Sequence, residues 1–488
     1  MTEAPAPFHR PADGWFGDVM PILVDGVYHV FYCHLDRDDT GAPGLCKPLT
    51  WAHLTTRDFV HVEEQPRALD HGGPDDVDLL AGAGSVTGPV DGTYYAYYVG
   101  INPRRTDRGE PEQVVLRATS QDLMDWKKDE DFVFEADPRW YERDAWRDPF
   151  LYRHGDRWRM LLCARSTEGP AERRGAIGLA ESDDLLTWRA LPPLYTPGTT
   201  YAPECPEIFT LAGREYLVYS TYSDRFATRY RYREPGQETW RRADWDALDT
   251  NDVYAMNTVA DETGERRHLI GWLATRAGDT DAGHRQWGGD LVAHELVPRP
   301  DGTLGVAPPE ASLARFSRSA AHVEPRAGSW TVTGDEAAYE GHGFGWCSLG
   351  ACGHTALLEA DVPLDAECEE FGIALRARDD FSAAYLLRFE PRHGRVVLDR
   401  RPHTFDGPFD HDKDRSYVSA PDHEIERPLP RTDGTVRVRV ALDGSILSVY
   451  VDDVALTTRG YDLTDGEFGL YAAQGTARFS SLVVGGAL

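Results

Sequence analysis

Residues 91–98 read Asp-Gly-Thr-Tyr-Tyr-Ala-Tyr-Tyr, a turn followed by an aromatic and apolar run. This pattern is typical of a turn that leads into a β-strand, because Asp-Gly favours tight turns and aromatic residues favour strands. Similar segments recur at intervals of about 50 to 66 residues, which indicates an internal repeat. The other copies are residues 25–32, 154–162, 212–219 and 266–272.

A second element recurs in phase with the first, at a similar distance after three of the aromatic runs. Its copies read Thr-Thr-Arg-Asp-Phe at 55–59, Thr-Ser-Gln-Asp-Leu-Met-Asp-Trp at 119–126 and Glu-Ser-Asp-Asp-Leu-Leu-Thr-Trp at 181–188. Repeats of this length, made of short strands with Gly and Asp turns, are typical of propeller blades. A sandwich of similar hairpins is the alternative, but two elements in the same phase favour the propeller. The five copies therefore predict a five-bladed β-propeller.

The character of the chain changes after residue 310. Residues 311–330 are mixed, small and charged, which predicts a linker. Short alternating strands follow, such as those in residues 435–451, and the Pro-, Asp- and His-rich residues 401–434 predict a long loop. The sequence thus predicts an all-β chain with a propeller at 1–310, a linker at 311–330 and a C-terminal β-sandwich at 331–488.

The composition predicts a soluble globular protein with a neutral ligand. The 488 residues are 41% hydrophobic, and no apolar run approaches the ~20 residues of a membrane span. The formal charge of −30 would repel nucleic acids and anionic membranes, so neither is expected as a partner. Residues 1–14 have neither a basic start nor an apolar centre, which predicts a cytoplasmic protein. The sequence leaves the oligomeric state open.

The cysteines are odd in number, scattered, and lack the paired spacing of metal ligands. Free thiols in a reducing compartment are therefore expected, and the chemistry is predicted to need neither a metal ion nor a cofactor. The seven are Cys33, Cys46, Cys163, Cys205, Cys347, Cys352 and Cys368.

A candidate site lies at residues 144–150, which read Asp-Ala-Trp-Arg-Asp-Pro-Phe between two apolar runs. Pro149 restricts the residue before it, so Asp148 is expected to be extended where a strand begins, with its side chain pointing into a cleft. Arg147 favours the ionised carboxylate, and Trp146 offers a face for a ring-shaped ligand. A strand cap with a surface ion pair would explain the same residues, so other acids have to support the site.

Two further acids occupy a similar place before an aromatic run. Asp18 lies within residues 14–21 before the first run, and Glu204 lies within residues 201–209 before the fourth. Each acid alone fits a strand-end cap or a surface charge. Three acids at a similar place before an aromatic run indicate that their side chains share one cavity. Converging acids raise one another's pKa, so one can stay protonated as a general acid while another is an ionised nucleophile. Glycoside cleavage requires this pair of roles.

At these residues the chain resembles glycoside hydrolase family 32, the family of invertases, inulinases and levanases. Arg-Asp-Pro at 147–149 and Glu-Cys-Pro at 204–206 match two signatures of that family, and Trp-Ala-His at 51–53 resembles a third. Residues 252–255 and 286–296 resemble later family segments, while residues 435–458 resemble the sandwich that follows the family's five-bladed propeller.

The resemblance implies a retaining β-fructofuranosidase in which Asp18 is the nucleophile, Glu204 the acid/base and Asp148 a transition-state stabiliser that binds sugar hydroxyls. In a retaining enzyme the two carboxyl groups that cleave the bond lie about 5 to 5.5 Å apart. The implied substrates are sucrose, fructo-oligosaccharides or fructan. Residues expected to bind the sugar are Trp15, Trp51, Ser85, Arg147, Tyr254 and Trp287.

The sequence departs from the family pattern beside the nucleophile. The family carries Asn before that residue and Pro-Asn-Gly after it, whereas Gly17 precedes Asp18 and Val-Met-Pro follows. Cys33 replaces a sugar-binding glutamine, and residues 83–85 lack an aromatic residue before the serine. These departures keep three alternatives open: transfer of the fructosyl group to another sugar, hydrolysis of a different furanoside, and a non-catalytic carbohydrate-binding protein. The retained acids favour the hydrolase.

Overall fold

The computed structural model describes residues 8–36, 49–401 and 424–488, so Cys46 and most of the predicted 401–434 loop lie outside the described residues. Strands make up most of the described chain. No helix within these ranges is long and apolar enough to cross a membrane. The chain divides into two compact units: one extends to Thr275 and includes Arg285–Gly305, and the other comprises Arg276–His284 and Val306–Leu488.

The first unit contains five antiparallel blades, one for each sequence repeat. Blade one comprises β1 (Gly14–Val24), β2 (Val27–Asp36), β3 (Thr50–Thr56) and β4 (Val62–Leu69). Blade two comprises β5 (Leu80–Val90), β6 (Thr93–Ile101), β7 (Gln113–Ser120) and β8 (Lys127–Lys128). Blade three comprises β9 (Tyr141–His154), β10 (Arg157–Ser166), β11 (Gly175–Ser182) and β12 (Arg189–Tyr195).

The last two blades each begin with three consecutive paired strands. Blade four comprises β13 (Glu204–Leu211), β14 (Arg214–Thr221) and β15 (Ala227–Arg233). Blade five comprises β16 (Val253–Ala260), β17 (Arg267–Arg276) and β18 (Arg285–Pro298), and the short β19 (Leu304–Ala307) pairs with β18. Two 3-10 helices of this unit lie at Pro103–Arg108 and Ala171–Arg173.

The first strands of the five blades form a closed ring. They contact one another in the order β1, β5, β9, β13, β16 and back to β1. Blades one and five are also joined by the pairing of Phe16 with Gly289. This arrangement is a five-bladed β-propeller, which confirms the prediction from the repeats.

Local chemistry explains why the repeated segments fold alike. The first element is a hairpin turn: Asp25-Gly26 and Asp91-Gly92 have φ between 49° and 77°, as type I′ turns require. The second element is the turn after the third strand of a blade. There a hydroxyl oxygen accepts a hydrogen bond from the backbone N–H three residues on, in Thr56, Ser120 and Ser182.

A β-bulge interrupts the first strand of every blade at the same place. In blade one, Phe16 pairs with His34 and Val19 pairs with Tyr32, so two residues, Gly17 and Asp18, face one. Such an extra residue bends a strand and redirects its side chains, and bulges of this kind are common beside active sites. The other bulged pairs are Gly82–Ala83, Asp148–Pro149, Cys205–Pro206 and Ala255–Met256.

The second unit contains two antiparallel sheets that share the long strand β32 (Gly466–Gly486). The first sheet also includes β21 (Glu324–Ala327), β22 (Trp330–Thr333), β23 (Glu336–Cys352), β25 (Glu367–Ala377), β26 (Ala384–Glu390), β27 (Arg395–Arg401) and β28 (Glu424–Pro428). The second includes β20 (Ser319–Ala320), β24 (Thr355–Pro363), β29 (Thr435–Asp443), β30 (Ile446–Val451) and β31 (Val454–Arg459). Short helices lie at Ala277–Asp279, Glu310–Ala314 (α1) and Pro391–His393.

Apolar side chains of both sheets form one buried core, among them Leu358 and Val438 on the second sheet and Ile373 and Leu387 on the first. Alternation along each strand places these residues on the inner face, as in a β-sandwich. The predicted C-terminal sandwich is therefore confirmed.

The described parts of two stretches contain strands that their composition does not indicate. Residues 311–330, predicted as a linker, contain β20 and β21, and Phe316 packs against Leu357 and Ala441. Residues 401–434, predicted as a loop, contain β28, which pairs with β27. Composition is an average over many residues. It therefore does not reveal a single apolar residue, such as Phe316, that packs against other strands in the fold.

Candidate active site

Each of the three predicted acids lies in the bulge of its blade or directly before it. Aligned by bulge, Glu204 lies directly before the bulged pair of its blade, Asp148 is the first residue of its pair and Asp18 is the second. The acids therefore occupy three consecutive positions, not the single shared position that the sequence indicated. They nonetheless converge, because Asp18 lies within charge-interaction range of both others and Asp148 within that of Glu204.

The backbone of Asp148 also differs from the expectation that it is extended where a strand begins. Its φ is 54°, in the left-handed region, and it lies in the middle of β9. The first bulge residues of blades four and five share this conformation, with φ of 45° at Cys205 and 49° at Ala255. Non-glycine residues adopt it only where the surrounding structure holds them. The bulge, rather than Pro149 alone, thus sets the direction of the Asp148 side chain.

Asp18 and Glu204 line one pocket of about 340 Å³. This volume lies at the lower end of the range for small-molecule sites and suits a sugar unit. Within the described chain the other lining residues are Tyr222, Phe226, Tyr254, Trp272, Arg285, Gln286 and Trp287.

Glu204 is held by two donors at the pocket wall. Arg147 Nη2 donates to Oε1 at 2.8 Å, and the Tyr254 hydroxyl donates to Oε2 at 2.7 Å. The side chain of Glu204 nevertheless remains 23% exposed. It is fixed in place yet reachable from the pocket, as a group that transfers a proton to a bound substrate must be.

Asp18 is held by a different donor. Trp272 Nε1 donates to Asp18 Oδ1 at 2.8 Å. Burial raises the pKa of Asp18 to about 7, and the negative charge of Asp148 adds to the increase. The indole hydrogen bond acts in the opposite direction because it stabilises the carboxylate. A cavity carboxyl that titrates near neutral pH is a candidate functional group.

Asp148 is 7% exposed and interacts with the strand that carries Glu204. Its Oδ2 accepts a hydrogen bond from the Cys205 N–H at 3.1 Å and lies 3.7 Å from Arg147 Nε. Burial raises the pKa of Asp148 to about 6, although the charge of Arg147 opposes the increase. The charge of Glu204 adds to it.

Arg147, predicted to bind sugar, contacts the acids directly. It joins Glu204 and Asp148, and its Nη1 donates to Gln113 Oε1 at 3.3 Å. Burial opposes the charge of Arg147, but neighbouring negative groups keep its pKa well above the ordinary value. One permanent positive charge therefore lies among the three carboxyl groups and stabilises their ionised forms.

Four rings form one side of the pocket, which we call the aromatic wall: Phe226, Tyr254, Trp272 and Trp287. Phe226 stacks on Tyr254 with ring centroids 4.0 Å apart, and Tyr254 contacts Trp272 at 5.6 Å. Trp272 in turn contacts Trp287 at 5.8 Å. Since Tyr254 and Trp272 also donate to Glu204 and Asp18, the aromatic wall both shapes the pocket and holds its acids.

Four predicted sugar-binding residues lie outside the set that lines this pocket in the described chain: Trp15, Trp51, Ser85 and Arg147, which instead contacts the acids. Trp51 is fully buried, and its Nε1 donates to the Gly82 carbonyl at 2.8 Å. Ser85 Oγ accepts a hydrogen bond from Leu151 N–H at 3.2 Å. Trp51 and Ser85 thus join neighbouring blades, and their sugar-binding roles stay predictions. Trp15 is 7% exposed, and its sugar-binding role stays a prediction.

Several pocket residues were not identified from the sequence as sugar-binding. Trp272 ends the fifth aromatic run and pairs with Tyr254, so aligning the bulges would have found it. Gln286 opens a segment that resembles the family, and Arg285 precedes it. Tyr222 and Phe226 lie between β14 and β15, outside both repeated elements, where no sequence signal marks them.

The Trp272→Phe variant is expected to shift the acid limb of the kcat/KM profile to higher pH. Phenylalanine cannot donate the hydrogen bond that lowers the pKa of Asp18, so this carboxyl would ionise at a higher pH. Asp148, Glu204 and Arg147, the other charged groups that act on Asp18, are unchanged in the variant. Initial rates at low substrate between pH 4 and 9 measure the limb, and an unmoved limb would contradict the role of the indole.

Comparison with known proteins identifies the family. The N-terminal domain model of glycosyl hydrolases family 32 matches residues 9–295, and the C-terminal model matches residues 329–485. The chain is 24% identical over 492 residues to the sucrose-6-phosphate hydrolase of Escherichia coli, covering 96% of this chain and 92% of that one. It is 26% identical over 501 residues to the raffinose invertase of the same species, with the same shares of 96% and 92%.

A solved structure has the same fold. The exo-inulinase of Aspergillus awamori superposes with a TM-score of 0.74 at 18% identity, covering 100% of this chain and 99% of that one. The two family models together span most of the sequence, so the chain belongs to glycosyl hydrolases family 32, as its motifs predict, and is a hydrolase of β-fructofuranosides.

Proposed function

We propose that the protein cleaves β-fructofuranosides with retention of configuration, with Asp18 as the nucleophile and Glu204 as the acid/base. The observation that carries this proposal is that the two acids line one small pocket but are held by different donors. One carboxyl group can therefore act on the sugar while the other acts on the leaving group.

In the first step the Asp18 carboxylate attacks the anomeric carbon of the fructosyl unit. Glu204 gives its proton to the glycosidic oxygen, the bond between carbon and that oxygen breaks, and the alcohol leaves. A fructosyl ester on Asp18 remains, and Glu204 is now a carboxylate. Arg147 is already bound to Oε1 of Glu204 and stabilises this charge as it forms.

In the second step Glu204 takes a proton from a water molecule, whose oxygen attacks the anomeric carbon and displaces Asp18. Fructose leaves, and both carboxyl groups return to their starting states. Two inversions at one carbon give net retention. An acceptor sugar in place of water would give transfer through the same ester.

Asp148 is the proposed stabiliser of the transition state. Its negative charge lies within interaction range of Asp18 and Glu204, where positive charge develops on the sugar ring. Its neighbour Arg147 and the Cys205 N–H fix the carboxylate, so little reorganisation is needed during the reaction. A carboxylate held in this way also accepts hydrogen bonds from sugar hydroxyls.

The substrate is a small sugar or an oligosaccharide, and the best candidates are those named for its relatives, sucrose, sucrose 6-phosphate and raffinose, together with inulin. Besides the two acids the pocket contributes the aromatic wall and the polar side chains of Tyr222, Arg285 and Gln286, a combination that fits one fructosyl unit. We expect the enzyme to remove terminal fructose, because a pocket of this volume holds little more than one sugar unit.

Product analysis with a panel of these sugars, levan and arabinofuranosides tests the proposal. We expect free fructose from at least one β-fructofuranoside, and NMR of the first product should show the β configuration. Release of the α form first would contradict retention. Release of arabinose without any fructose would show that the substrate is an arabinofuranoside and not a β-fructofuranoside.

Chelation with EDTA is expected to leave kcat/KM unchanged, because Asp18 and Glu204 supply the nucleophile and the proton transfers. In the described ranges one group has the spacing of metal ligands, namely Asp13, His34 and Asp36. Activity that disappears on chelation and returns with one divalent ion would contradict the prediction. Asp13→Asn would then show whether this group is involved.

A further inference from the structure

Gly17, directly before the proposed nucleophile, has no room for a side chain. A Cβ atom built on it would lie 2.3 Å from Cη2 of Trp287 and 2.8 Å from the Cys33 carbonyl oxygen. Contacts below 3.0 Å essentially do not occur for real Cβ atoms. Gly17 lies outside the residues with positive φ, so space and not backbone conformation requires glycine here. The Trp287 indole occupies the volume that any side chain at position 17 would fill.

The indole of Trp287 connects this space to the nucleophile. It contacts the Trp272 ring, with centroids 5.8 Å apart and planes inclined by 52°. Trp272 is 1% exposed and donates its N–H to Asp18 Oδ1 at 2.8 Å. A continuous set of contacts thus runs from Gly17 through two indoles and back to Asp18, the next residue in the chain.

We propose that Gly17 and Trp287 are positioning residues of this active site. The absence of a side chain at position 17 admits the Trp287 indole, the indole supports Trp272, and Trp272 fixes the Asp18 carboxylate in the pocket. This inference rests on the proposed role of Asp18. It assigns a function to the glycine that stands where the family resemblance expects asparagine: without a side chain, position 17 leaves room for the Trp287 indole of blade five.

The position of the Trp287 indole also determines which chemical group lies beside Asp18 in the pocket. Trp287 and Asp18 both line the pocket, so an indole lies where the family pattern expects an asparagine side chain, while the Gln286 amide lines the pocket as well. Indoles bind through their apolar faces and offer a single donor, whereas an amide offers hydrogen-bond donors and an acceptor. The Trp287 side of the pocket therefore favours contact with C–H groups of the sugar over contact with a hydroxyl group.

A double-mutant cycle tests the coupling between the two residues. Gly17→Ala should lower kcat/KM on a cleaved β-fructofuranoside about 10²-fold, because it displaces the indole and with it the reacting groups. In a Trp287→Ala background the same change should cost at least about tenfold less. Some loss remains in that background, since the Cys33 carbonyl oxygen also lies close to the new methyl group.

The pH profile separates a positioning role from a merely structural one. In Gly17→Ala and in Trp287→Ala the acid limb of kcat/KM should move to higher pH, in the same direction as in Trp272→Phe. A variant that is only less stable would lose active enzyme without moving this limb. Asp148, Glu204 and Arg147, which also act on Asp18, are present in every variant.

Gly14 provides a matched control on the same strand. A Cβ on Gly14 would lie 2.1 Å from His34 Nε2 and 2.7 Å from the Leu35 carbonyl oxygen, so the crowding is comparable, but Trp287 is not among its nearest atoms. Gly14→Ala should therefore combine additively with Trp287→Ala and leave the acid limb in place.

Additive effects of Gly17→Ala and Trp287→Ala, with an unmoved acid limb, would overturn this inference. Wild-type hydrolysis and a sugar ester on Asp18 would then leave the proposed function intact, whereas their absence would overturn the proposed function itself. If Gly17→Ala does not fold, the pH profile of Trp287→Ala decides, because that variant removes atoms and creates no clash.

Discussion

Asp18→Asn is expected to lower kcat on a β-fructofuranoside by more than about 10⁴-fold, because an amide cannot form the sugar ester of the proposed mechanism. Asparagine has nearly the same size, and its oxygen can still accept the Trp272 hydrogen bond. Sugar binding should therefore be retained. Steady-state rates and calorimetric titration with the released sugar measure the two quantities. Turnover close to that of the wild type would contradict the assignment of the nucleophile.

The stability of the same variant provides a control on its fold. The pKa of Asp18 is raised from 3.8 to about 7 in the folded protein, so between these values the folded state holds a proton that the unfolded chain has released. The stability contributed by this group is full below about pH 4 and falls as pH rises through about 7. Asp18→Asn removes that dependence. At pH 8 we expect a thermal midpoint at least equal to that of the wild type.

Glu204→Gln is expected to lower the rate about 10² to 10⁴-fold on substrates with poor leaving groups, because glutamine cannot deliver a proton. An activated aryl β-fructofuranoside should lose much less in its first step, since its leaving group departs without protonation. Burst kinetics on the aryl substrate and steady-state rates on sucrose measure the two effects. Equal losses on both substrates would exclude Glu204 from the acid role.

Glu207→Gln is the matched control, three residues further along β13. Glu207 is fully buried, accepts hydrogen bonds from Thr258 N–H at 2.6 Å and forms an ion pair with Arg267 at 3.2 Å. Its contacts place it in the blade interior and away from the pocket-lining set. Glu207→Gln should therefore reduce stability while leaving the rate ratio between the two substrates unchanged.

The architecture could be predicted because its determinants are local and repeated. Asp25-Gly26 and Asp91-Gly92 specify hairpins through backbone conformation, and Ser120 and Ser182 close turns with their own hydroxyls. Each of these signals lies within a few residues of the structure that it specifies. Repetition at intervals of about 50 to 66 residues then gives the number of blades.

The site could be predicted only in part, because its geometry depends on strand pairing. Asp18, Asp148 and Glu204 are recognisable as acids before aromatic runs, but their three different positions relative to the bulges are set by the pairing between strands. Full burial of Trp51 likewise results from packing between blades. The local sequence around each of these residues does not indicate such contacts.

Gly17 is the clearest example of a site residue whose role depends on contacts between distant parts of the sequence. From the sequence, Gly17 is only a departure from the asparagine of the family pattern. In the structure its space is filled by Trp287, a residue of the last blade. Only closure of the propeller, in which β1 pairs with β18, brings the two residues together.

Trapping of the covalent intermediate tests the central claim most directly. In Glu204→Gln an activated aryl β-fructofuranoside should form the ester but hydrolyse it slowly, because no base activates water in the second step. Acid quenching and peptide mass analysis should then find one fructosyl group on Asp18, and none in the Asp18→Asn/Glu204→Gln double variant. A fructosyl group on Asp148, or rapid turnover of the aryl substrate with no ester on any residue, would contradict the account.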